Sequence, residues 1–324
     1  MTKNQFKKAY SLIEISGILL VLSIVFVGVY QGVNIFHETQ ISGAKSLTKS
    51  APVMRTENVG LWYETTLDES IDKSEKNTGV KITKWFDINS QRTEKFNAFA
   101  GQSENNSNFS FDPNPLFTAS GPVYQEKGIN GLPSLKFTNN NSISQFLVID
   151  PNFKINDDDF SIFIVIQFIN ASIHGSILDR VCLNTSLKPV ASSIEAINSC
   201  NPSIIIKSSL PNQFYSTLSN DDATKVYNSQ DQVFNKDRPY ILGISRWYNQ
   251  FFMFDINGKN ITKIAEDAGK INFLPFKIGR HAFLSSANSE FYISEIIIIN
   301  GKLKEANKKL IEKYLSKKYN IPIN

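Results

Sequence analysis

The sequence predicts a mainly β protein in which one N-terminal transmembrane α-helix precedes an antiparallel β-sandwich that ends in an amphipathic helix. Three observations predict this order. Residues 15–36 form an apolar run without a formal charge. Many short apolar stretches separated by turn signals follow, with no helical pattern between them, which is typical of antiparallel sheets. Residues 303–319 then carry apolar side chains at helical spacing.

The apolar run is long enough to cross a membrane. At about 1.5 Å per residue, residues 15–36 make a helix of roughly 33 Å, and a bilayer's hydrocarbon core is about 30 Å thick. We expect the membrane-spanning part at about residues 12–36. We expect the helix to continue to residue 51, because Pro52 cannot extend it.

The basic residues before the run predict its orientation. Lys3, Lys7 and Lys8 precede it, and positive flanks stay in the cytoplasm. We therefore expect a single-pass protein with a cytoplasmic N-terminus and an exported C-terminal part. Removing these three lysines would take the formal net charge from +4 to +1. So small a charge predicts no nucleic-acid partner.

Three residues of the helix suggest more than an anchor. Glu14 lies just inside its start, and a carboxylate in lipid is costly unless it finds a partner, so it is a functional hypothesis by default. Gly28 and Gly32 form a Gly-x-x-x-Gly pair that would let two helix backbones approach closely.

The order of residues around Glu14 resembles a known export signal. A short basic leader ends in Ala9, and Tyr10-Ser11-Leu12-Ile13-Glu14 leads into the apolar run. This start resembles the prepilin-type signal of type IV pilins and pseudopilins. Ala9 stands where the family usually has Gly, and Tyr10 where it usually has Phe. Major pilins often carry a Pro in the apolar segment, and its absence here favours a minor or pseudopilin-like subunit.

The resemblance implies processing and assembly. Residues 1–9 would be a leader that a prepilin peptidase removes between Ala9 and Tyr10, followed by methylation of the new N-terminus. Residues 10–51 would be a pilin-type helix that packs with other pilin or pseudopilin subunits. Glu14 would pair with the α-amino group of a neighbouring subunit's Tyr10 and set the register. The protein would start in a bacterial inner membrane and end in the periplasm or in a surface filament.

Two other interpretations of the N-terminus stay open. The first is a plain signal anchor without processing. The second is a secretory signal cut after Ala44, where Ser42-Gly43-Ala44 has a small-x-small pattern.

The strand pattern accounts for most of residues 52–324. Residues 160–169 are almost continuously apolar and predict a buried strand, and Asn257-Gly258 predicts a tight turn. Residues 91–121, rich in Asn, Ser and Phe, predict a long irregular segment with at most a short strand. The predicted strands are residues 60–63, 80–87, 133–138, 145–149, 160–169, 176–179, 203–207, 239–247, 251–256, 260–265, 276–279 and 291–300.

The last element is a predicted helix over residues 303–319, which packs back on the body. Its apolar side chains share one face. Six lysines fall largely elsewhere, and we expect them to be solvated, with contact to an anionic surface as the alternative. These lysines are Lys304, Lys308, Lys309, Lys313, Lys317 and Lys318.

The exported part also resembles a known domain. The resemblance rests on Leu61-Trp62, Trp85-x-Asp87, Ile129-Asn130-Gly131-x-Pro133-x-Leu135-x-Phe137, Ile256-Asn257-Gly258, Ile278-Gly279, Ile293-Ser294-Glu295-Ile296-Ile297-Ile298 and Ile311-Glu312-x-Tyr314-Leu315-x-x-Lys318-Tyr319. In this order they resemble the LamG-like, concanavalin A-like jelly-roll domains of bacterial surface and secreted proteins. The resemblance implies two antiparallel sheets over residues 52–324. It also implies binding of a glycan or protein ligand at one edge or on the concave face.

No catalytic constellation is recognised in the sequence. A glycoside hydrolase needs two carboxylates at a defined separation. Glu290 and Glu295 are the nearest pair, and at five residues apart they face opposite sides of a strand unless a bulge intervenes. His37, His174 and His281 lack metal-ligand spacing. We therefore expect that the protein is not an enzyme.

Two small groups of residues are candidates for metal binding or for disulfide formation. We expect a solvated turn at Asp157, Asp158 and Asp159. Because carboxylates are ligands for calcium, a calcium site there is the alternative, and we expect no other cofactor. Cys182 and Cys200 lie in the exported part, and we expect a disulfide, with two free thiols as the alternative.

Trp62, Trp85 and Trp247 lie in strand-like runs, so we expect core packing rather than a platform for a sugar ring.

The sequence thus predicts a minor pilin or pseudopilin-like subunit that displays a lectin-like sandwich for adhesion. The expected partners are other pilin subunits, prepilin peptidase, the membrane, and a glycan or protein ligand. Two alternatives stay open. One is a component of a type II secretion or DNA-uptake pseudopilus that contacts cargo. The other is a signal-anchored periplasmic binding protein or glycoside hydrolase.

Overall fold

A computed structural model describes thirteen segments of the chain, which divides into two compact units, Met1–Gly43 and Ala44–Asn324. The described segments are residues 12–100, 118–140, 143–150, 152–155, 159–171, 175–180, 205–209, 213–219, 224–228, 235–247, 250–262, 276–279 and 289–324.

The first helix, α1, spans Leu12–Lys49. Its apolar side chains are exposed between Leu12 and Phe36, and its length and composition are sufficient to cross a membrane. Hydroxyl side chains inside it are satisfied locally, since Ser16 Oγ donates to the Leu12 carbonyl and Ser23 Oγ to the Leu19 carbonyl, both at 2.7 Å. Such internal pairing suits a helix whose surroundings offer no hydrogen-bond partner.

The second unit is built from β-strands, and its last helix, α2, spans Glu305–Tyr319. The strands are β1 (Val59–Glu64), β2 (Lys84–Trp85), β3 (Ala98–Ala100), β4 (Thr118–Ser120), β5 (Val123–Gln125), β6 (Ser134–Asn139), β7 (Ile143–Gln145), β8 (Leu147–Ile149), β9 (Phe160–Ala171), β10 (Gly175–Arg180), β11 (Ile205–Ser209), β12 (Gln213–Ser219), β13 (Thr224–Asn228), β14 (Pro239–Trp247), β15 (Gln250–Ile256), β16 (Lys259–Asn260), β17 (Phe276–Ile278) and β18 (Ser289–Asn300).

These strands form two sheets. Among the described residues, the first sheet has the order β16-β15-β14-β9-β18-β6-β7-β4, with β1 beside β18 and β5 beside β6. The second has the order β13-β12-β11-β10-β17-β8-β3-β2. All named pairings are antiparallel except β4 with β7. The predicted antiparallel sandwich with a C-terminal helix is confirmed.

The core lies between the sheets and follows strand alternation. Along β9, Phe160, Ile162, Ile164, Ile166 and Phe168 belong to one buried cluster. Trp85 joins the same cluster, and its indole Nε1 donates to the Glu64 carbonyl at 2.6 Å.

The other face of the first sheet is covered by α2. Trp62 and Glu64 alternate on β1 with residues of the main core, so they point to this outer face. Ile311 and Leu315 of α2 are fully buried, and burial of such a side chain contributes about 1.5–3 kcal/mol. The unit therefore has three layers, with α2 as the third.

The predicted strand at residues 80–87 is wrong in extent. Its first half bonds to the first sheet, because Ile82 N donates to the Pro122 carbonyl at 2.9 Å. Its second half, β2, pairs with β3 in the second sheet. One continuous strand cannot serve both sheets, so the segment is divided where it crosses between them.

Several strands match the prediction closely, whereas the short strands β3, β4 and β5 and the longer strands β12 and β13 were not among the predicted strands. β14 has the predicted bounds of residues 239–247, and Asn257 and Gly258 take the positive φ angles of a tight turn, 50° and 76°. The strands β12 and β13 were missed because their Ser-, Thr- and Asn-rich sequences show little apolar alternation.

Candidate functional site

An open groove lies between α2 and the short 3-10 helix Pro52–Arg55, with a volume of about 440 Å³. We call it the basic groove, because Arg55, Lys313 and Lys317 line it. Lys313 and Lys317 are one helical turn apart, so they share one side of α2. All three cations are solvent-exposed.

The basic groove also has an apolar part. Pro52, Leu310 and Tyr314 contribute to its lining. Leu310 is 52% exposed, although it lies among lysines. Within the described sandwich unit, it and Ile143 are the exposed large hydrophobic residues.

Small polar groups complete the lining of the basic groove. Ser50, Thr56 and Asn307 supply two hydroxyls and one amide. Thr56 Oγ1 donates to the Pro52 carbonyl at 3.0 Å, which ties the end of the 3-10 helix to its start. None of the lining residues is acidic.

A buried ionic cluster, which we call the Lys318 cluster, holds α2 against the first sheet. Lys318 Nζ lies 2.9 Å from Glu64 Oε2 of β1 and 2.8 Å from Glu295 Oε2 of β18. All three side chains are completely buried. Two carboxylates thus share one ammonium group, so the cluster needs further donors to offset the second negative charge.

Glu64 obtains those donors from the loop that follows β1. Its carboxylate accepts from Thr66 N at 2.8 Å, from Leu67 N at 2.6 Å, and from the hydroxyls of Thr66 and Ser70. Burial alone raises the pKa of Glu64, but Lys318 and these hydroxyls together lower the pKa from 4.5 to about 2. Glu64 is therefore charged throughout the physiological range.

Glu295 obtains its donors from aromatic side chains. Trp62 Nε1 donates to Glu295 Oε1 at 2.7 Å, and the hydroxyls of Tyr314 and Tyr319 donate at 2.9 Å. Burial and the charge of Glu295 raise the pKa of both tyrosines well above 10. Both stay neutral donors, which ties α2 to β18.

The other end of α2 is held more simply. Lys308 Nζ lies 2.6 Å from Asp255 Oδ2 of β15, and both side chains are nearly buried. Glu312, one turn along, is buried beside them. Burial raises the pKa of Glu312 from 4.5 to about 7, although Lys308 acts in the opposite direction.

These contacts correct the prediction that the lysines of the C-terminal helix are solvated. Lys308 and Lys318 are buried ion-pair partners, while Lys304, Lys309, Lys313 and Lys317 are exposed as expected. The signal in the sequence was an acid inside an apolar strand. Glu64 ends an aromatic strand and Glu295 interrupts an isoleucine run, so each required a buried cation.

The acids Glu290 and Glu295 do not form a catalytic pair. A register shift between Ile293 and Glu295 inserts a bulge into β18, so both acids lie on the outer face rather than on opposite faces. Five residues of strand still separate them by about 16 Å, beyond the separation that glycosidases use. Glu290 pairs with Lys136 at 2.5 Å, and Glu295 is buried in the Lys318 cluster.

The structure describes four of the other predicted site residues. Glu14, Gly28 and Gly32 lie along α1, and no described residue outside the helix lies within 4 Å of a side-chain position at either glycine. Asp159 lies immediately before β9, and its carbonyl accepts a hydrogen bond from Gly301 N at 2.7 Å. Eight residues named in the sequence analysis lie outside the described residues: Ala9, Tyr10, Asp157, Asp158, Cys182, Cys200, His174 and His281.

Within the described segments, no group of three or more His, Cys, Asp or Glu side chains could hold a metal ion.

Trp62 and Trp85 are buried, as expected for core residues. Sequence reasoning missed the groove residue Arg55 altogether, because it lies in an unremarkable stretch after the helix stop at Pro52.

Comparison with known proteins relates this chain to others through its fold. No protein-family model and no curated protein matches the sequence. Among solved structures, the ligand-binding domain of botulinum neurotoxin serotype D, in complex with N-acetylneuraminic acid, matches with a TM-score of 0.51 and 8% identity. The match covers 82% of this chain and 52% of that one, so this chain spans about half the length of that domain.

Two further structures match more weakly. The binding domain of botulinum neurotoxin serotype G has a TM-score of 0.48 at 11% identity, over 80% of this chain and 51% of that one. A Trypanosoma rangeli sialidase has a TM-score of 0.47 at 10% identity, over 81% and 33%. These similarities concern the sandwich fold.

Proposed function

We propose that this protein is a membrane-anchored, pilin-like subunit that displays a lectin-like sandwich for binding a glycan or a protein. One observation carries the proposal. A long apolar helix with no buried residues in its apolar part is joined in the same chain to a sandwich with a buried hydrophobic core of its own. Exposed apolar surface of this extent needs an apolar environment, and a bilayer or a filament core supplies one.

The pilin-like part of the proposal rests on the N-terminal sequence. Ala9, Tyr10 and Glu14 have the order of a prepilin signal, and the first helix continues well beyond the apolar run, to Lys49. Prepilin peptidase and other pilin subunits are the partners that follow. The Gly28–Gly32 pair supports close packing of neighbouring helices, because no described residue outside the helix occupies the space within 4 Å beside either glycine.

The proposed binding function is supported by the fold and by the wide separation of Glu290 and Glu295 in the described residues. A neurotoxin domain of the same fold binds N-acetylneuraminic acid. In the described residues, Glu290 and Glu295 are too far apart for glycoside hydrolysis, and Glu295 is committed to an ion pair. We therefore propose ligand binding without hydrolysis.

Intact mass spectrometry of the protein extracted from its own membranes tests the pilin-like role. We expect a chain that begins at Tyr10, with or without a methyl group. The Glu14→Ala variant should be processed in the same way but should enter filaments much less than the wild type. A Glu14→Asp variant serves as the control that keeps the charge. A mature chain that retains Met1 would reduce the proposal to a signal-anchored binding protein.

A further inference from the structure

We propose that the basic groove binds an acidic saccharide, whose carboxylate or sulfate group is held by Arg55, Lys313 and Lys317. The inference rests on the proposed binding function and deepens it, because it names a ligand class and a place on the sandwich unit.

The charges that line the basic groove suit an anionic ligand. Three cations converge on one groove of about 440 Å³, and no lining residue is acidic. In the described segments, Arg55, Lys313 and Lys317 have no ion-pair partner, whereas Lys45, Lys136 and Lys308 each have one and Lys318 has two. Like charges that converge without a counter-charge favour an anionic ligand, and Arg55 can bind a carboxylate or sulfate with two hydrogen bonds.

The remaining lining of the basic groove suits the ring of a saccharide. Leu310 is half exposed and lies beside Pro52 and the buried Tyr314. A sugar ring has an apolar C–H face that such side chains can cover. Asn307 and Ser50 supply an amide and a hydroxyl for ring hydroxyls. A bare phosphate or a simple salt ion would use the cations and leave this apolar strip uncovered.

The basic groove has a rigid wall on the α2 side. Lys317 precedes Lys318, which is anchored to two sheet strands at 2.8 and 2.9 Å. Tyr314 contributes to the groove while its hydroxyl donates to Glu295 at 2.9 Å. The α2 wall of the basic groove is therefore preorganised, which reduces the entropic cost of binding.

The size of the groove fits a short saccharide. Pockets for small ligands range from about 300 to 1,000 Å³, and the volume of about 440 Å³ lies at the lower end of that range. We expect one or two rings to contact the groove, with the remaining rings of a longer chain in solvent. Salt should weaken the binding, because the cations are exposed.

The test uses the full chain in micelles of a neutral detergent. Binding of tetragalacturonate, a soluble acidic probe, is measured by calorimetry and compared with neutral maltotetraose and with glycerol 3-phosphate. We expect tetragalacturonate to bind, maltotetraose not to bind, and glycerol 3-phosphate to bind at least tenfold more weakly. A glycan array with the same protein covers other saccharides.

The variant for the test is Lys313→Glu with Lys317→Glu, and the matched control is Lys309→Glu. Lys309 is exposed on the same helix but does not line the groove. We expect the double variant to lose at least tenfold in affinity and the control to bind like the wild type. All three proteins should unfold at nearly the same temperature, because the changed side chains are exposed.

The possible outcomes distinguish failure of the basic groove as the binding site from failure of glycan binding by the protein as a whole. If array glycans bind equally to the wild type and to the double variant, the basic groove is not the binding site, although the protein still binds glycans. Glycerol 3-phosphate as the preferred probe would assign the groove to a phospholipid headgroup and overturn the saccharide. Binding of no saccharide at all would overturn both the groove and the glycan-binding function.

Discussion

The two described α-helices of this protein have opposite patterns of burial. In α1, leucines, isoleucines and valines are exposed from Leu12 to Phe36. In α2, Lys308 and Lys318 are buried. Both arrangements would be unfavourable without a partner. The chain itself supplies the partners of α2, which are Asp255, Glu64 and Glu295. In the described residues it supplies none for the apolar side chains of α1.

The comparison teaches how to separate structure from function in a chain of this kind. Charges buried with good geometry explain the attachment of a helix, and no ligand is needed to account for them. Apolar side chains that the described residues leave exposed over a long helix indicate an apolar environment outside the sandwich.

The largest effect is expected from charges placed in α1. In the double variant Val21→Arg with Val25→Arg, each arginine near the helix centre costs about 2.5–3.5 kcal/mol in membrane insertion. We expect the protein to leave the carbonate-washed membrane fraction almost completely. The control Val21→Leu with Val25→Leu should remain there. A double-arginine variant that stays fully inserted would contradict the membrane role of α1.

Removal of the cation from the Lys318 cluster should have the next largest effect. The Lys318→Met variant leaves two buried carboxylates without their ammonium, and breaking a buried pair costs about 3–5 kcal/mol of unfolding free energy. Chemical denaturation measures the loss. The matched control Lys309→Met should change stability by no more than about 0.5 kcal/mol.

A compensated variant keeps this test informative if Lys318→Met does not fold. Glu64→Gln and Glu295→Gln added to Lys318→Met should restore much of the stability, because both uncompensated charges are gone. A triple variant no more stable than Lys318→Met alone would show that charge balance is not what attaches α2.

The Lys308 end of α2 should be less sensitive. Lys308→Met leaves one carboxylate, Asp255, without its partner, and we expect a loss of about 2–3 kcal/mol. Denaturation of this variant beside Lys318→Met measures the difference directly. An equal or larger loss at Lys308 would reverse the ranking of the two ends.

The smallest effect is a dependence on pH, and it comes from Glu312. Its pKa of about 7 lies above the ordinary 4.5, so the fold favours the protonated form. That stabilisation is present below pH 4.5 and is lost as the pH rises through 7. Glu64, whose pKa is lowered to about 2, acts oppositely: its stabilisation is present above pH 4.5 and is lost as the pH falls through 2.

Between pH 5 and 8, the unfolding temperature of the wild type should therefore fall relative to that of Glu312→Gln. Glutamine has the shape of the protonated acid and does not titrate, so the variant removes this dependence. Thermal unfolding of both proteins across this range gives the comparison. Parallel curves would mean that Glu312 does not titrate there.

Much of the fold follows from local patterns in the sequence. The apolar run predicted α1, the continuous apolar stretch predicted β9, and the alternation of residues 239–247 predicted β14. These patterns are local because a helix or strand buries its face with a fixed period. The weakly patterned strands β12 and β13 were missed for the same reason.

The candidate site could be predicted much less well. Arg55 and Lys317 are 262 residues apart in the sequence, and only the packing of α2 brings them to one groove. The five lysines of α2 look alike in the sequence, yet two are buried and three are exposed. The choice depends on which of them face carboxylates on β1, β15 and β18.

The sequence by itself determined both α-helices and the strongly patterned strands such as β9 and β14, and that residues 15–36 of the first helix carry no formal charge. These properties depend on neighbouring residues and on their period. Only the tertiary structure decided that Glu64, Glu295 and Lys318 meet, that a bulge in β18 turns Glu290 and Glu295 to one face, and that a basic groove forms beside α2. The physical reason is that each of these features joins residues from distant segments, and burial and electrostatic pairing between them are properties of the packed chain.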